Sequence, residues 1–202
     1  MKIIDQSWEW IKAPDNALLH IEAAGRTCYQ SDSELTNKTA EKFVKMLLKR
    51  GHETPIEHVS ASVKIITNRG VSHELVRHRL ASYSQESTRY VNYSGEMEFI
   101  RPVWWDEWGN ENRWSWESAL KTVETYYREM IHDGSRPEQA REILPNSLKT
   151  EIVMTANLRE FRHIFKLRCS KAAHPQIRAL MLDMLDGFKK EIPVIFDDIG
   201  GE

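Results

Sequence analysis

Between Arg77 and Tyr90 the chain reads Arg77-His78-Arg79-Leu80-Ala81-Ser82-Tyr83-Ser84-Gln85-Glu86-Ser87-Thr88-Arg89-Tyr90, with Glu86 the one carboxylate among three arginines, a histidine and many hydroxyls. Cations and hydroxyls at this density point to a bound anion. Arginine suits phosphate because its planar fork makes two parallel charge-assisted hydrogen bonds. Ser87, Thr88 and the adjoining backbone offer further donors. The residues before this string predict a helix over 69–81, with Val71, Leu75 and Val76 on one side and His73, Glu74 and Arg77 on the other. That helix would set Arg79 beside Leu75 on the buried side, where a guanidinium needs a carboxylate or phosphate partner. A structural ion pair with Glu74 or Glu57 is the competing reading; three arginines with adjoining hydroxyls favour the anion site.

A second cluster, Gly51-His52-Glu53-Thr54-Pro55-Ile56-Glu57-His58, holds two histidines and two carboxylates. Pro55 prevents the helical His-Glu-x-x-His face of a zinc site, so no metal is expected, and a turn of mutually capping polar groups is the plain alternative. Arg159 and His163 stand one helical turn apart on a polar face and could reach one ligand together. Arg141 by itself reads as a solvated cation, and Arg168 as a cation at a helix C-terminus. Cys28 and Cys169 read as packing thiols without an adjacent base. Five tryptophans between Trp104 and Trp116 would suit an aromatic platform, but a self-packed hydrophobic loop is the preferred reading.

The elements that must carry these residues follow from periodicity. A strand is expected over 2–12, then a helix from Asp15 to about Tyr29 with Leu18, Ile21, Glu22 and Gly25 on one path. After a polar stretch at 31–37, Ala40, Phe43, Val44, Leu47 and Leu48 form an apolar stripe that Gly51 ends. Strands are expected over 59–67, 97–102 and 148–156. Helical spacing runs from Trp116 to Gly134, and Ser135 with Glu138 would box the next start. Asn157 caps a further helix, with Leu158, Phe161, Ile164 and Phe165 inward. The last long helix buries Ile177, Leu180, Met181, Met184, Leu185 and Phe188, and the tail beyond Pro193 is expected to fray.

Four separated blocks, 51–58, 72–90, 140–145 and 157–174, resemble the flavin-dependent thymidylate synthases. The signature Arg-His-Arg followed seven residues later by Ser and then Arg-Tyr is met by Arg77, His78, Arg79, Ser87, Arg89 and Tyr90, with Ser84 where the longer form often has Asn. Ala140-Arg141-Glu142-Ile143-Leu144-Pro145 matches a further family segment. The resemblance implies a single mixed α/β (α+β) domain over 1–202, with a central antiparallel sheet flanked by helices as in the thymidylate synthase complementing proteins. It implies conversion of dUMP to dTMP with methylenetetrahydrofolate as carbon donor, NADPH as reductant and FAD as cofactor, and no enzyme nucleophile. Arg168 and His52 would then be catalytic. Contacts to dUMP would come from Glu74, Leu75, Val76 and Arg77, from Gln85, Glu86, Ser87, Thr88 and Arg89, and from Arg141 and Arg168. FAD would meet Thr54, Arg77, His78, Arg79 and Gln85, and then Asn157, Arg159 and His163. Glu57 would support that site. The resemblance also implies a homotetramer with flavin sites between subunits, in keeping with the lack of a Gly-x-Gly-x-x-Gly fingerprint.

Composition sets the outer limits. At 202 residues the chain can bury a core of its own. A net charge of −2 argues against a general nucleic-acid binder, and two cysteines fit a reducing cytoplasm rather than a disulfide framework. The N-terminus lacks a signal-peptide core and no window approaches a membrane span. Two readings from other classes stay open: a nucleic-acid module using the basic string and tryptophans, and a metal hydrolase using His52, His58, His73 and His78.

Overall fold

The computed structural model describes residues 1–29 and 36–200; part of the polar stretch at 31–37 and the last two residues of the tail lie outside them. Residues divide into two compact units. Unit 1 comprises Met1–Ser7, Ile65–Arg77 and Ser84–Val153; unit 2 comprises Trp8–Lys64, His78–Tyr83 and Met154–Glu202.

The expected first strand is two. β1 (Lys2–Ile4) pairs in parallel with β5 (Glu98–Ile100), Ile3 opposite Phe99, whereas β2 (Ser7–Lys12) belongs to another sheet. That second, antiparallel sheet has the order β2-β3-β6-β4, where β3 is Ser60–Asn68, β4 is Ala81–Gln85 and β6 is Lys149–Asn157. From Ala61 onward β3, and all of β6, alternate between buried and half-buried positions. Ala61, Val63, Ile65, Ile152, Met154 and Ala156 fill the buried face, as a period of two requires. On the other face the Ser62 and Thr155 hydroxyls hydrogen-bond across the strands at 2.8 Å.

Each of these two strands ends in an asparagine that starts a helix. Asn68 accepts from the Val71 backbone at 2.8 Å to cap α3 (Arg69–Leu75), and Asn157 accepts from Glu160 at 2.9 Å to cap α6 (Leu158–Arg168). The repeated strand-Asn-helix corner sets both helices directly on the ends of their strands.

In unit 1, α4 (Asn110–His132) starts six residues before the expected Trp116, and Met97, Phe99, Leu120, Tyr127, Ala140 and Leu148 form the core beneath it. The tryptophans pack on one another: Trp105 and Trp108 each meet Trp116, at 5.6 and 6.5 Å between ring centres, and Arg113 covers Trp105. The self-packed reading of that stretch fits. α5 (Pro137–Ala140) is capped at Arg136, not Ser135, because Pro137 occupies the first helical position; the Arg136 backbone donates to Gln139 Oε1 at 2.9 Å.

In unit 2, α1 (Ala17–Tyr29) and α2 (Asn37–Arg50) pack together, and Gly51 closes α2 in the left-handed conformation, as expected. Glu22 is fully buried on α1, where Arg26 and the Thr39 hydroxyl satisfy it. Cys28 is exposed, contrary to its expected packing role; it follows the Ile21–Gly25 path but falls in the last turn of α1. α7 (Pro175–Glu191) buries all six residues expected of it. Up to residue 200 the tail does not fray: α8 (Pro193–Phe196) buries Ile195 and Phe196, and Ile199 is 3% exposed.

Candidate active site

α6 places most of the chemistry in unit 2. Its cap at Asn157 turns Leu158, Phe161, Ile164 and Phe165 into the core and leaves Arg159 and His163 exposed, as the spacing predicts. Glu160 lies between these faces and is buried. His78, buried in the turn leading to β4, has its Nδ1 3.9 Å from Glu160 Oε1, and its ring stands edge-on to His163 at 6.1 Å. Arg168, in the last turn of α6, donates from Nε to His78 Nε2 at 3.1 Å. Burial, helped by the Arg168 and His163 charges, pushes the His78 imidazole down to about 4. It is therefore neutral at neutral pH, and because Nε2 accepts, its proton sits on Nδ1 toward Glu160. Burial raises the Glu160 carboxyl, and it pushes the Tyr83 phenol, which donates to the His78 carbonyl at 3.1 Å, up to about 12.

His78, Glu160 and His163 offer ligand atoms within 4.8 Å of one another. A cation there would need the Nδ1 lone pair of His78. The Arg168 hydrogen bond commits that atom to the proton, so the trio is better suited to hydrogen bonding than to metal ligation.

Beside this cluster a cavity of about 590 Å³ is lined by Glu53, Glu57, Asn157, Arg159, His163 and Lys166, among others. The turn Thr54–His58 supplies its acidic wall and α6 its basic one. Arg159 is held by Glu57 through Nη1 and lies 3.5 Å from Glu53 Oε2 through Nε. Arg159 and Lys166, with His163 between them, share one helix face next to a helix N-terminus, an arrangement of donors suited to an anionic ligand.

Unit 1 carries a second constellation. The turn after β4 closes through Tyr90 and Val91 backbone donors to the Ser87 carbonyl, and the Arg89 amide meets Ser87 Oγ at 3.3 Å. Thr88 is buried, whereas Arg89 is exposed. Glu86 anchors the turn: its backbone donates to Glu151, Tyr93 donates its phenolic proton to Oε1, and Lys149 Nζ lies 3.3 Å from Oε2. Lys149 also meets Glu151 at 2.6 Å. Burial first, then the Glu86 hydrogen bond, raises the Tyr93 phenol beyond its ordinary range. Gln85 donates to Ser72 at 2.8 Å and Thr150 at 3.1 Å.

The family model for the thymidylate synthase complementing protein matches residues 10–194. The flavin-dependent thymidylate synthase of Geobacter sulfurreducens is 39% identical over 188 residues, which cover 89% of this chain and 81% of that one. The chain belongs to the thymidylate synthase complementing protein family. The Mycobacterium tuberculosis flavin-dependent thymidylate synthase is 33% identical, over 94% of this chain and 82% of its own. Among solved structures, the UMP/dUMP methylase PolB of Streptomyces cacaoi, bound with 5-Br dUMP, matches with a TM-score of 0.82 over 98% of this chain and 96% of that one. Its sequence identity is 21%, so this match speaks to the shared fold.

In this member of the complementing-protein family the expected site residues fall in both units. Glu74, Leu75, Val76, Arg77, Gln85 to Arg89 and Arg141 lie in unit 1; His52, Thr54, His78, Arg79, Asn157, Arg159, His163 and Arg168 lie in unit 2. Arg141 is exposed in a short 3-10 turn, Arg141–Ile143, and Arg77 and His52 are also exposed. Leu75 is buried in the core, while Val76 is 40% exposed. The predicted burial of Arg79 is wrong. α3 stops at Leu75, six residues short of the expected end, so the helical phase never reaches Arg79, which is exposed and has no carboxylate partner among the described residues. His78 takes the buried place instead. Sequence reasoning missed Tyr83, Tyr93, Lys149, Glu160 and Arg162. A charged residue on an otherwise apolar helix face was the available signal for Arg162, whereas Lys149 shares its strand face with Glu151, Thr155 and Asn157 and gave none.

Proposed function

We propose that this chain is a flavin-dependent thymidylate synthase that methylates dUMP to dTMP, with methylenetetrahydrofolate as carbon donor and NADPH as reductant. The kinship carries this reading: 39% identity over 89% of the chain to a protein of that name. Bound FAD would supply the electron and hydride chemistry between NADPH and the transferred carbon. Asn157, Arg159, His163 and Thr54, with Arg77, His78, Arg79 and Gln85, would hold it, and the basic wall of the 590 Å³ cavity supports that assignment. Ser87, Thr88, Arg89 and Arg141 would take the dUMP phosphate, and Glu74, Leu75, Val76, Gln85 and Glu86 would line the nucleotide.

Arg168 would sit against the uracil imide and stabilise negative charge there, which makes carbon 5 electron-rich without covalent attack at carbon 6. Preorganised charge of this kind is commonly a large catalytic contribution. His78 would orient the guanidinium through Nε2. Burial pushes the Cys169 thiol up to about 11, which disfavours a thiolate and suits a reaction without an enzyme nucleophile. His52 would act near the flavin ring and folate.

The family model spans residues of both units, which supports one functional domain over 1–202. A homotetramer with sites between subunits accords with exposed Arg77 and Arg79 and with Leu80, 75% exposed beside them. No helix among the described residues is long and apolar enough to cross a membrane, and a cytoplasmic location fits the two free cysteines.

The deciding experiment combines the visible spectrum of the purified protein after FAD addition with dUMP-dependent NADPH oxidation. Retained flavin bands and turnover are expected. Arg168→Ala should abolish dTMP formation while flavin stays bound; lost flavin with retained turnover would overturn the role given to Arg168.

A further inference from the structure

Arg162 is the most buried arginine of α6, with a side chain 3% exposed, and its charge must be compensated. Asp198, in the tail after α8, grips it with both oxygens: Nη1 to Oδ1 at 2.6 Å and Nη2 to Oδ2 at 2.7 Å. Nη1 also donates to the Ile195 carbonyl. Nε is different. It is buried without a hydrogen-bond partner and lies 3.6 Å from Glu53 Oε1. The other oxygen of Glu53 lies 3.5 Å from Arg159 Nε, and Glu57 holds the far end of Arg159. Glu53 is thus shared by two arginines, at ion-pair distance from each.

We propose that Asp198 and Arg162 are positioning residues for the flavin-binding wall, and that the tail sets the orientation of Arg159 by keeping Arg162 from capturing Glu53. Asp198 and Glu53 are the two carboxylates that reach Arg162 among the described residues. With Asp198 in place, the fork of Arg162 is occupied and Glu53 remains available to Arg159. Without the Asp198 charge, a buried guanidinium faces Glu53 as its one remaining counter-charge, and attraction at low dielectric draws that carboxylate inward. Arg159 then loses its second partner and swings on Glu57 alone. The tail therefore acts at a distance, since Asp198 is not among the residues lining the cavity. The consequence for flavin rests on the function proposed above; the contest for Glu53 does not.

Two readouts keep them apart. In the flavin-free protein, the Nε–H resonance of Arg159 is followed by nitrogen-15 NMR in wild type, Asp198→Asn and Asp198→Glu. Asp198→Asn should shift it, and Asp198→Glu, which restores the charge, should return it toward the wild-type position. An unmoved resonance in Asp198→Asn overturns the proposal. FAD affinity is then measured below the melting temperature of each variant. Asp198→Asn should weaken it about three- to tenfold, the scale of a partly exposed ion pair. In a Glu53→Gln background the same change should have no further effect, because the contested carboxylate is gone. A fall in melting temperature with unchanged FAD affinity would mean a purely structural tail and would also overturn it. If Asp198→Asn does not fold, Asp198→Ser, which also removes the charge, carries the same two measurements with the same expectations. A wild-type protein that binds no FAD, yet shows the Arg159 shift, would refute the flavoenzyme and leave the contest for Glu53 standing.

Discussion

Protonating His78 should cost this fold measurable stability in a defined pH window. The imidazole is 6% exposed, its Nε2 already accepts from the Arg168 guanidinium at 3.1 Å, and His163 stands close by. Glu160, 3.9 Å away, and the Tyr83 phenol on the His78 carbonyl complete its surroundings. A proton added at Nε2 would point at a cation, and one retained at Nδ1 already faces Glu160. With an unfolded value of about 6.5 and a folded value of about 4, the unfolded chain binds more protons between these limits. Stability from this group is therefore complete above about pH 6.5 and is lost as pH falls toward 4, by about 3 kcal/mol in total and about 2 kcal/mol at pH 5. Urea unfolding of the flavin-free protein at pH 7.5, 6, 5 and 4.5 would measure it, with His78→Gln as the reference because glutamine keeps an acceptor for Arg168 and cannot titrate. Wild type should lose stability relative to the variant steadily toward acid. Parallel curves would refute the argument, since every other titrating group is common to both proteins.

Tyr93→Phe removes a hydrogen bond to the Glu86 carboxylate while Lys149 stays, so a loss of about 1.5–3 kcal/mol is expected, or roughly 3–12 °C in melting temperature for a chain of this size. Calorimetry gives that number, and steady-state kinetics should show a raised dUMP KM with kcat retained; an unchanged KM would confine Glu86 and Tyr93 to folding. Gly187→Ala would set a Cβ 2.2 Å from Cζ2 of Trp8, whose ring is tethered by Nε1 to Asp183 at 3.0 Å and lies 5.1 Å from Trp10. Overpacking there should cost about 1–3 kcal/mol, with a shift in tryptophan emission; full stability would mean that Trp8 can move aside.

What the chain revealed in advance, and what it withheld, divides along a physical line. The helices at 158–168 and 175–191 were legible because their apolar residues repeat at helical spacing and their caps are local. β4 was not, because Ser82, Ser84 and Gln85 carry no strand signal; its pairing at the sheet edge decides it. The error at Arg79 is the same error, since a helix extended through 76–81 rotates every later side chain. The tail misled in another way. The stretch beyond Pro193 was expected to fray, yet Asp198 is matched by Arg162, 36 residues away. Residue types that could bind phosphate were visible by chemistry alone, whereas the groups that orient them are set by topology.

The contrast between the arginines of α6 follows from that topology. Arg159 and Arg162 are held by carboxylates, which cancel much of their charge and suit them to binding and support. Arg168 is oriented through Nε by a histidine that burial and neighbouring cations keep neutral. A neutral acceptor at Nε fixes the direction of a guanidinium without itself contributing a negative charge. For the role proposed for Arg168, stabilising an anion as it forms, that distinction matters more than the strength of the hydrogen bond. Placing Asp at position 78 would tighten the pair and dull the cation. The role proposed for Arg168 then predicts a lowered kcat with dUMP binding retained in His78→Asp, read by steady-state kinetics.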